Sequence, residues 1–226
     1  MSTAIQIVRN LAGQSLCRAF SIWGIAATLL LSQAATAAPV ALYDSINGST
    51  SAGADGANNA TWLANQFNTD TAGYDLDSVV LNFSAAPLGT IAVDIYSDAS
   101  GTPSTSLGTL TNPGSFGAGS NTFSASGIPT LASASSFWVV LRGVGASSAD
   151  WLYTGDTPTG VGSSTNSNFS TTAGASWAGV SSGGPYMMTV NATPVAVPEP
   201  STWAMGLAGV AFAGVKVLGR RRRIQG

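Results

Sequence analysis

Short alternating runs of apolar and polar residues, without any useful helical period, most restrict the fold of residues 39–193. In residues 90–98, TIAVDIYSD, every second side chain from Ile91 to Ile95 is a large apolar one. Residues 136–143, SFWVVLRG, place Phe137, Val139 and Leu141 on one face in the same way. This two-residue period is typical of a strand with one buried face. Clusters of Gly, Pro, Asn and Ser separate the runs, as turns between short strands do.

The spacing of these runs predicts an all-β domain over residues 38–193, folded as a two-sheet β-sandwich of jelly-roll type. The only cysteine, Cys17, precedes this segment, so no disulfide can stabilise it. Residues 98–101, Asp-Ala-Ser-Gly, predict a type I turn, with Asp at its first position and Gly at its last.

The N-terminus has the three parts of a secretory signal peptide, which we place at residues 1–37 and expect to be helical. A basic region is followed by the uncharged run AFSIWGIAATLLL at residues 19–31. Ala35 and Ala37 then form an A-x-A cleavage site. We therefore expect export, with cleavage after Ala37.

Charge is divided unevenly along the chain. Residues 39–199 contain all 10 acidic residues and a single basic one, Arg142, which gives this segment a net charge of −9. A surface this acidic repels nucleic acid and anionic lipid, which excludes nucleic-acid binding.

The C-terminal tail combines a Pro-rich strip, an apolar run and a basic end. Residues 194–200 form a linker ending in Val197, Pro198, Glu199 and Pro200. Residues 201–219 are apolar except for one lysine, and a helix of this length measures roughly 28 Å, enough to cross the hydrocarbon core of a bilayer.

The basic end, residues 220–226, fixes the orientation of this predicted transmembrane helix. It contains the membrane stop signal Arg220, Arg221, Arg222 and Arg223. Basic flanks of a transmembrane helix remain on the cytoplasmic side, so the preceding domain is expected outside.

The tail as a whole resembles the PEP-CTERM sorting signal of Gram-negative bacteria. The resemblance implies that an exosortase, an integral-membrane transpeptidase, recognises the signal, cleaves near Pro198 to Pro200 and passes the domain to the cell surface or matrix. The residues of the motif are then substrate residues. The prolines lack amide protons and favour an extended strip that a protease can bind.

The domain itself is similar to the bacterial choice-of-anchor ectodomains, closest to type R. The resemblance rests on the order YDLDSVVLNF, VDIYSDASGTPSTSLGTL and SASSFWVVLRG. It implies a surface role and brings no catalytic residues with it.

Residues 38–199 contain no His, Cys or Lys, which excludes Ser-His-Asp and Cys-His nucleophile systems and the usual zinc ligands. Paired carboxylates are the remaining route to acid–base chemistry. Asp75 and Asp77 would share one strand face, with Cβ atoms roughly 7 Å apart. Glycosidase carboxylates have comparable spacing, but a solvated strand face is the favoured interpretation. We expect no catalytic residue.

Acidic loops supply oxygen ligands for calcium. The two candidate groups are Asp55 with Asn58 and Asn59, and Asp94 with Asp98. No EF-hand or calcium-repeat motif is present. Ordinary turns are the favoured interpretation, and we predict neither a metal site nor a cofactor.

The aromatic residues suggest carbohydrate binding as a candidate function, because amphipathic rings stack on sugars. The candidates are Trp62, Trp138, Trp151, Tyr153 and Trp177, of which Trp151 and Tyr153 are the first choice.

Together these features predict an exported, exosortase-processed protein of the cell surface or extracellular matrix, anchored in the membrane before processing. Its expected role is that of a non-catalytic structural or adhesive module, with exopolysaccharide as a partner. Two alternatives remain: a glycan-binding or glycan-hydrolysing protein that uses Asp carboxylates, and an ice-binding protein.

Overall fold

The computed structural model describes residues 37–179 and 184–195. These ranges contain strands and no helix, hence none long and apolar enough to cross a membrane. The predicted signal peptide (except its last residue), the sorting motif, the apolar run at 201–219 and the basic end lie outside them. The strands are β1 (Val40–Asp44), β2 (Ser51–Ala57), β3 (Trp62–Asn68), β4 (Tyr74–Phe83), β5 (Leu88–Ala99), β6 (Thr102–Thr109), β7 (Gly119–Ser124), β8 (Ser136–Thr154), β9 (Ser167–Ser170), β10 (Ala178–Gly179) and β11 (Met188–Pro194).

The 19-residue strand β8 connects two groups of strands. Residues 136–144 lie between β3 and β5, and both pairings are antiparallel. Residues 149–154 pair instead with β2, and Trp151 also pairs with Phe83 at the end of β4. One strand therefore belongs to both groups.

An irregularity in β8 lies between these two pairing regions. The register with β5 shifts between the pairs Thr90–Val144 and Leu88–Ser148. Ser147 stabilises the shift, because its Oγ accepts the Thr90 amide proton at 2.8 Å and donates to the Val144 carbonyl at 2.7 Å. Opposite it, Gly89 has a φ of +72°, and a Cβ there would collide with Ser147 Oγ. The irregularity is thus built from specific residues, as β-bulges commonly are.

Strand pairing joins all of these strands into a single 11-stranded sheet. Its main path is β1-β11-β4-β8-β3-β9-β10, and β2, β5, β6 and β7 pair with strands of this path or with each other. The sheet is open and curls on itself. The predicted all-β class is confirmed. The jelly-roll arrangement of two separate sheets is not confirmed, since continuous hydrogen bonding through β8 links the two groups.

The inward faces of both groups of strands share one core. The alternation predicted for β5 and β8 is confirmed there, since the large apolar side chains at every second position are buried: Ile91, Val93, Ile95, Phe137, Val139 and Leu141. The β4 and β11 strands contribute further buried residues of the same cluster: Val79, Leu81, Phe83, Met188 and Val190. Burial of these side chains is the main stabilising term available to a domain without disulfides.

The turn between β5 and β6 differs from the prediction. Ala99 pairs directly with Thr102, so the loop consists of Ser100 and Gly101, with φ values of 54° and 80°. Two central residues with positive φ define a type I′ hairpin turn, so the predicted type I turn is wrong. Type I′ matches the right-handed twist of paired strands, whereas type I splays them. Asp98 still accepts the Gly101 amide proton, at 3.2 Å.

A stacked aromatic pair in the core joins Trp151 and Tyr186. Their rings stack with centroids 4.6 Å apart and an angle of 18° between planes. The Trp151 indole N–H donates to the Met187 carbonyl at 2.9 Å. Both side chains are fully buried, so the pair connects β8 to the residues preceding β11.

Replacing Trp151 by Ala is expected to lower the free energy of unfolding by about 3 to 5 kcal/mol, because a large cavity forms and the Met187 carbonyl loses one of its two donors. Urea unfolding of the full chain, followed by circular dichroism, measures this. Leu88→Ala is the matched control, since Leu88 is 69% exposed, and should change the free energy by less than about 0.5 kcal/mol. Equal effects of the two substitutions would contradict the assigned core.

Candidate functional site

The first-choice aromatic pair does not form a surface. Trp151 is fully buried, because alternation along the second part of β8 points residues 149 and 151 inward and Asp150 outward. It therefore offers nothing to a sugar ring. Tyr153 is half-buried, with Gly53 of β2 packed closely against its ring.

A different aromatic group lies on the opposite side of β3 and β8 from the main core. Ala64, Trp138 and Val140 are buried there, and the half-buried side chains of Trp62, Tyr96 and Trp177 pack over them. Alternation explains the arrangement, because even-numbered positions of β3, β5 and β8 face away from the core. We call Trp62, Tyr96, Trp138, Arg142 and Trp177 the outer aromatic cluster.

Trp138 anchors this cluster from below. It is fully buried, and its indole N–H donates to Asp98 Oδ1 at 2.8 Å. Gln66 Nε2 donates to the same oxygen at 3.2 Å. Gln66 Oε1 in turn accepts bonds from Ser164 and Asn166, at 2.8 and 2.7 Å. The network fixes the floor of the cluster from three segments of chain.

A shallow cleft of about 290 Å³ adjoins this network. Its lining is entirely without charge: Thr157, Pro158, Ser163, Ser164, Thr165 and Asn166.

Arg142 is the one basic side chain of the described ranges, and it lies in the outer aromatic cluster. Its Nε donates to Asp94 Oδ2 at 2.7 Å, and its guanidinium lies 5.4 Å from the centroid of the Trp62 ring. Asp94 also accepts a short bond from the Thr109 hydroxyl. The Asp94 side chain is only 4% exposed, whereas that of Arg142 is 29% exposed. Burial, and then the nearby Asp94 charge, raise the pKa of Tyr96, and the Arg142 charge opposes them.

These contacts place the two members of one candidate calcium pair in separate networks. Asp94 pairs with Arg142 and Thr109, and Asp98 with Trp138, Gln66 and the Gly101 amide.

The other candidate calcium group is not assembled either. Asp55 Oδ2 accepts the Tyr186 hydroxyl at 2.9 Å. Asn58 Oδ1 accepts the amide protons of Ala60 and Thr61, both at 2.8 Å, which is an ordinary turn contact. Across residues 37–179 and 184–195, no group of three or more His, Cys, Asp or Glu residues is arranged to hold a metal ion.

Asp75 and Asp77 share the exposed face of β4, as predicted. Asp75 accepts the Thr130 hydroxyl at 2.6 Å, and Asp77 accepts the Thr193 hydroxyl at 2.9 Å. Each carboxylate thus bonds a different neighbouring segment, on a solvated face.

Sequence reasoning missed the contact between Arg142 and Asp94. Alternation alone places both residues on outward faces of their strands. Their proximity depends on the β5–β8 register, in which Arg142 is opposite Ala92 and Asp94 is opposite Val140. A hydrophobic pattern read on one strand at a time does not fix that register.

The described domain is an acidic, all-β unit followed by a tail with a sorting signal. Comparison with protein families shows that residues 196–223 match the PEP-CTERM protein-sorting motif. This confirms the resemblance of the tail, whereas the choice-of-anchor type of the domain is not confirmed. The motif implies processing by an exosortase, export, and sorting to the surface of a Gram-negative bacterium. The whole motif lies outside the described residues, which end at Val195.

Comparison with curated proteins finds no match. Among solved structures, the chain is similar to the cysteine protease and lectin-like domains of Cwp84, a surface layer associated protein of Clostridium difficile. The TM-score is 0.42 and the identity 13%, over 61% of this chain and 33% of that one. The chain thus spans about a third of the length of that structure, and a similarity this low carries no information about activity.

Two buried tyrosines are expected to make the folded domain less stable at alkaline pH. Burial raises the pKa of Tyr43 to about 12. Burial, and then the bond from its hydroxyl to Asp55, raise the pKa of Tyr186 far above its ordinary value. In the unfolded chain both titrate near pH 10.

We therefore expect the free energy of unfolding to fall above about pH 10, because only the unfolded chain then loses these protons. Tyr186→Phe should reduce the slope above pH 10 by about 1.4 kcal/mol per pH unit. Urea unfolding of the full chain at several pH values between 8 and 12 measures the slope. Leu88→Ala should leave it unchanged, and the same slope in Tyr186→Phe would contradict the assignment.

Proposed function

We propose that this protein is an exported, exosortase-processed component of the cell surface or extracellular matrix. Its β domain acts there as a non-catalytic structural or adhesive module associated with exopolysaccharide. The observation that carries the proposal is the PEP-CTERM motif at residues 196–223.

The residue inventory of the domain supports a role without catalysis. Residues 38–199 contain no His, Cys or Lys. The carboxylates of Asp94 and Asp98 are engaged in structural bonds, which hold Arg142 and Trp138 in place. Asp75 and Asp77 lie on an exposed strand face rather than in a cleft, which is unlike the flanking arrangement that glycoside hydrolysis requires.

The tail provides the signals that deliver the domain to the cell surface. Its apolar run halts translocation, and its four arginines remain cytoplasmic, so the chain is held transiently in the inner membrane with the domain outside. Pro198, Glu199 and Pro200 belong to the matched motif and are the substrate residues of the exosortase in this proposal. Cleavage near these residues separates the domain from the membrane.

The composition of the domain suits this destination. A single curled sheet with one shared core needs no disulfide, and therefore no oxidising machinery, to fold after export. The net negative charge keeps the domain soluble.

Deleting residues 196–226 should leave the protein unanchored in the periplasm and absent from the cell surface, because the stop signal and the exosortase substrate are both lost. Fractionation of a host that encodes the exosortase, followed by immunoblotting, measures this. Replacing Pro198, Glu199 and Pro200 together by Ala should instead leave uncut chain in the inner membrane. Val195→Ala, in the residue just before the motif, is the control and should be sorted normally. Undiminished association of the truncated chain with the cell surface would overturn the proposal.

A further inference from the structure

We propose that the outer aromatic cluster is a binding site for a neutral polysaccharide chain. The inference rests on the proposed function, since it names the matrix component that the surface domain would contact. Its evidence is separate from the sorting motif and comes from the geometry of β3, β5 and β8.

The cluster presents three half-buried rings on the side of the sheet that faces away from the main core. Trp62 and Trp177 meet at an angle of 62° with their centroids 6.5 Å apart, and Tyr96 lies on the same side. Rings held at an angle to one another offer flat apolar surfaces, here called plates, on which more than one sugar residue of a chain can stack. The apolar faces of pyranose rings pack on such plates, as amphipathic aromatics in ligand sites allow.

The plates are held before any ligand arrives. The Trp62 indole N–H donates to the Asn59 carbonyl at 3.2 Å. Gly174, with a φ of +82°, packs so closely on the Trp62 ring that a Cβ there would lie 2.6 Å from it. Below the plates, Trp138 is fixed by Asp98. Side chains held in this way lose little conformational freedom on binding.

Arg142 supplies directed hydrogen bonds beside the rings. Only its Nε is bonded within the described part of the chain, to Asp94, and its terminal amino groups have no partner there. The guanidinium lies over Trp62 and is 29% exposed. Its terminal amino groups therefore lie within the cluster, where the hydroxyls of a sugar stacked on a neighbouring ring can accept their protons.

Charge selects a neutral ligand over an acidic one. Residues 37–195 contain nine aspartates and one arginine, so the field of the domain repels polyanions. The positive charge of Arg142 is locally balanced by Asp94 at 2.7 Å. A neutral hexose polymer meets neither repulsion nor a requirement to displace Asp94.

The test uses the full chain in detergent, with cellohexaose and laminarihexaose as neutral probes and alginate as the anionic one. Titration is followed by tryptophan fluorescence and by isothermal calorimetry. We expect binding of at least one neutral probe and none of alginate. Trp177→Ala should weaken that binding about ten-fold or more, because a ring that contacts the sugar is removed.

The matched control is Tyr153→Ala, which removes a half-buried aromatic ring elsewhere on β8. It should bind the neutral probe as the unaltered chain does. Trp62→Phe keeps a smaller plate and should give an intermediate loss, and urea unfolding of each variant shows whether its fold is retained.

Three outcomes would overturn the inference: binding of alginate alone, binding of no probe, or neutral binding that Trp177→Ala leaves intact in a folded protein. A failure here is distinguishable from failure of the proposed function. Sorting depends on residues 196–226, so a chain that binds no sugar would still be delivered to the surface.

Discussion

The continuity of β8 is the constraint on which the rest of the domain depends. Its first part lies between β3 and β5, and its second part pairs with β2 and reaches β4. Because one strand serves both groups, their inward faces close over a common core. The outward face of its first part simultaneously carries Trp138 and Arg142, so the same strand that organises the core also positions the outer aromatic cluster.

The pattern of apolar and polar residues was sufficient to predict that the domain consists of strands. It also predicted the inward faces of β5 and β8, whose apolar side chains recur at every second position. It was insufficient wherever the outcome depended on pairing. Trp151 is as apolar as Trp177, but stacking on Tyr186, more than 30 positions later, places it in the core. The turn at Ser100 and Gly101 follows from the direct pairing of Ala99 with Thr102, which composition does not reveal. The single curled sheet, likewise, depends on β8 exchanging partners at its irregularity.

Charge is separated along the chain. Seven of its eight basic residues lie outside residues 37–195, whereas nine of its ten acidic residues lie inside them. Within that domain, Arg142 is bound to Asp94 beside Trp62, where its charge is balanced. An acidic surface on which the single basic charge is balanced in this way resists contact with anionic polymers and membranes.

Intact-mass spectrometry of the protein recovered from the surface of its own host tests the central claim most directly, because one measurement reports both ends of the chain. The account requires a chain that begins after Ala37 and ends near Pro198 to Pro200, with or without an attached group. A surface form that still contains residues 201–226, in a host that encodes the exosortase, would contradict it.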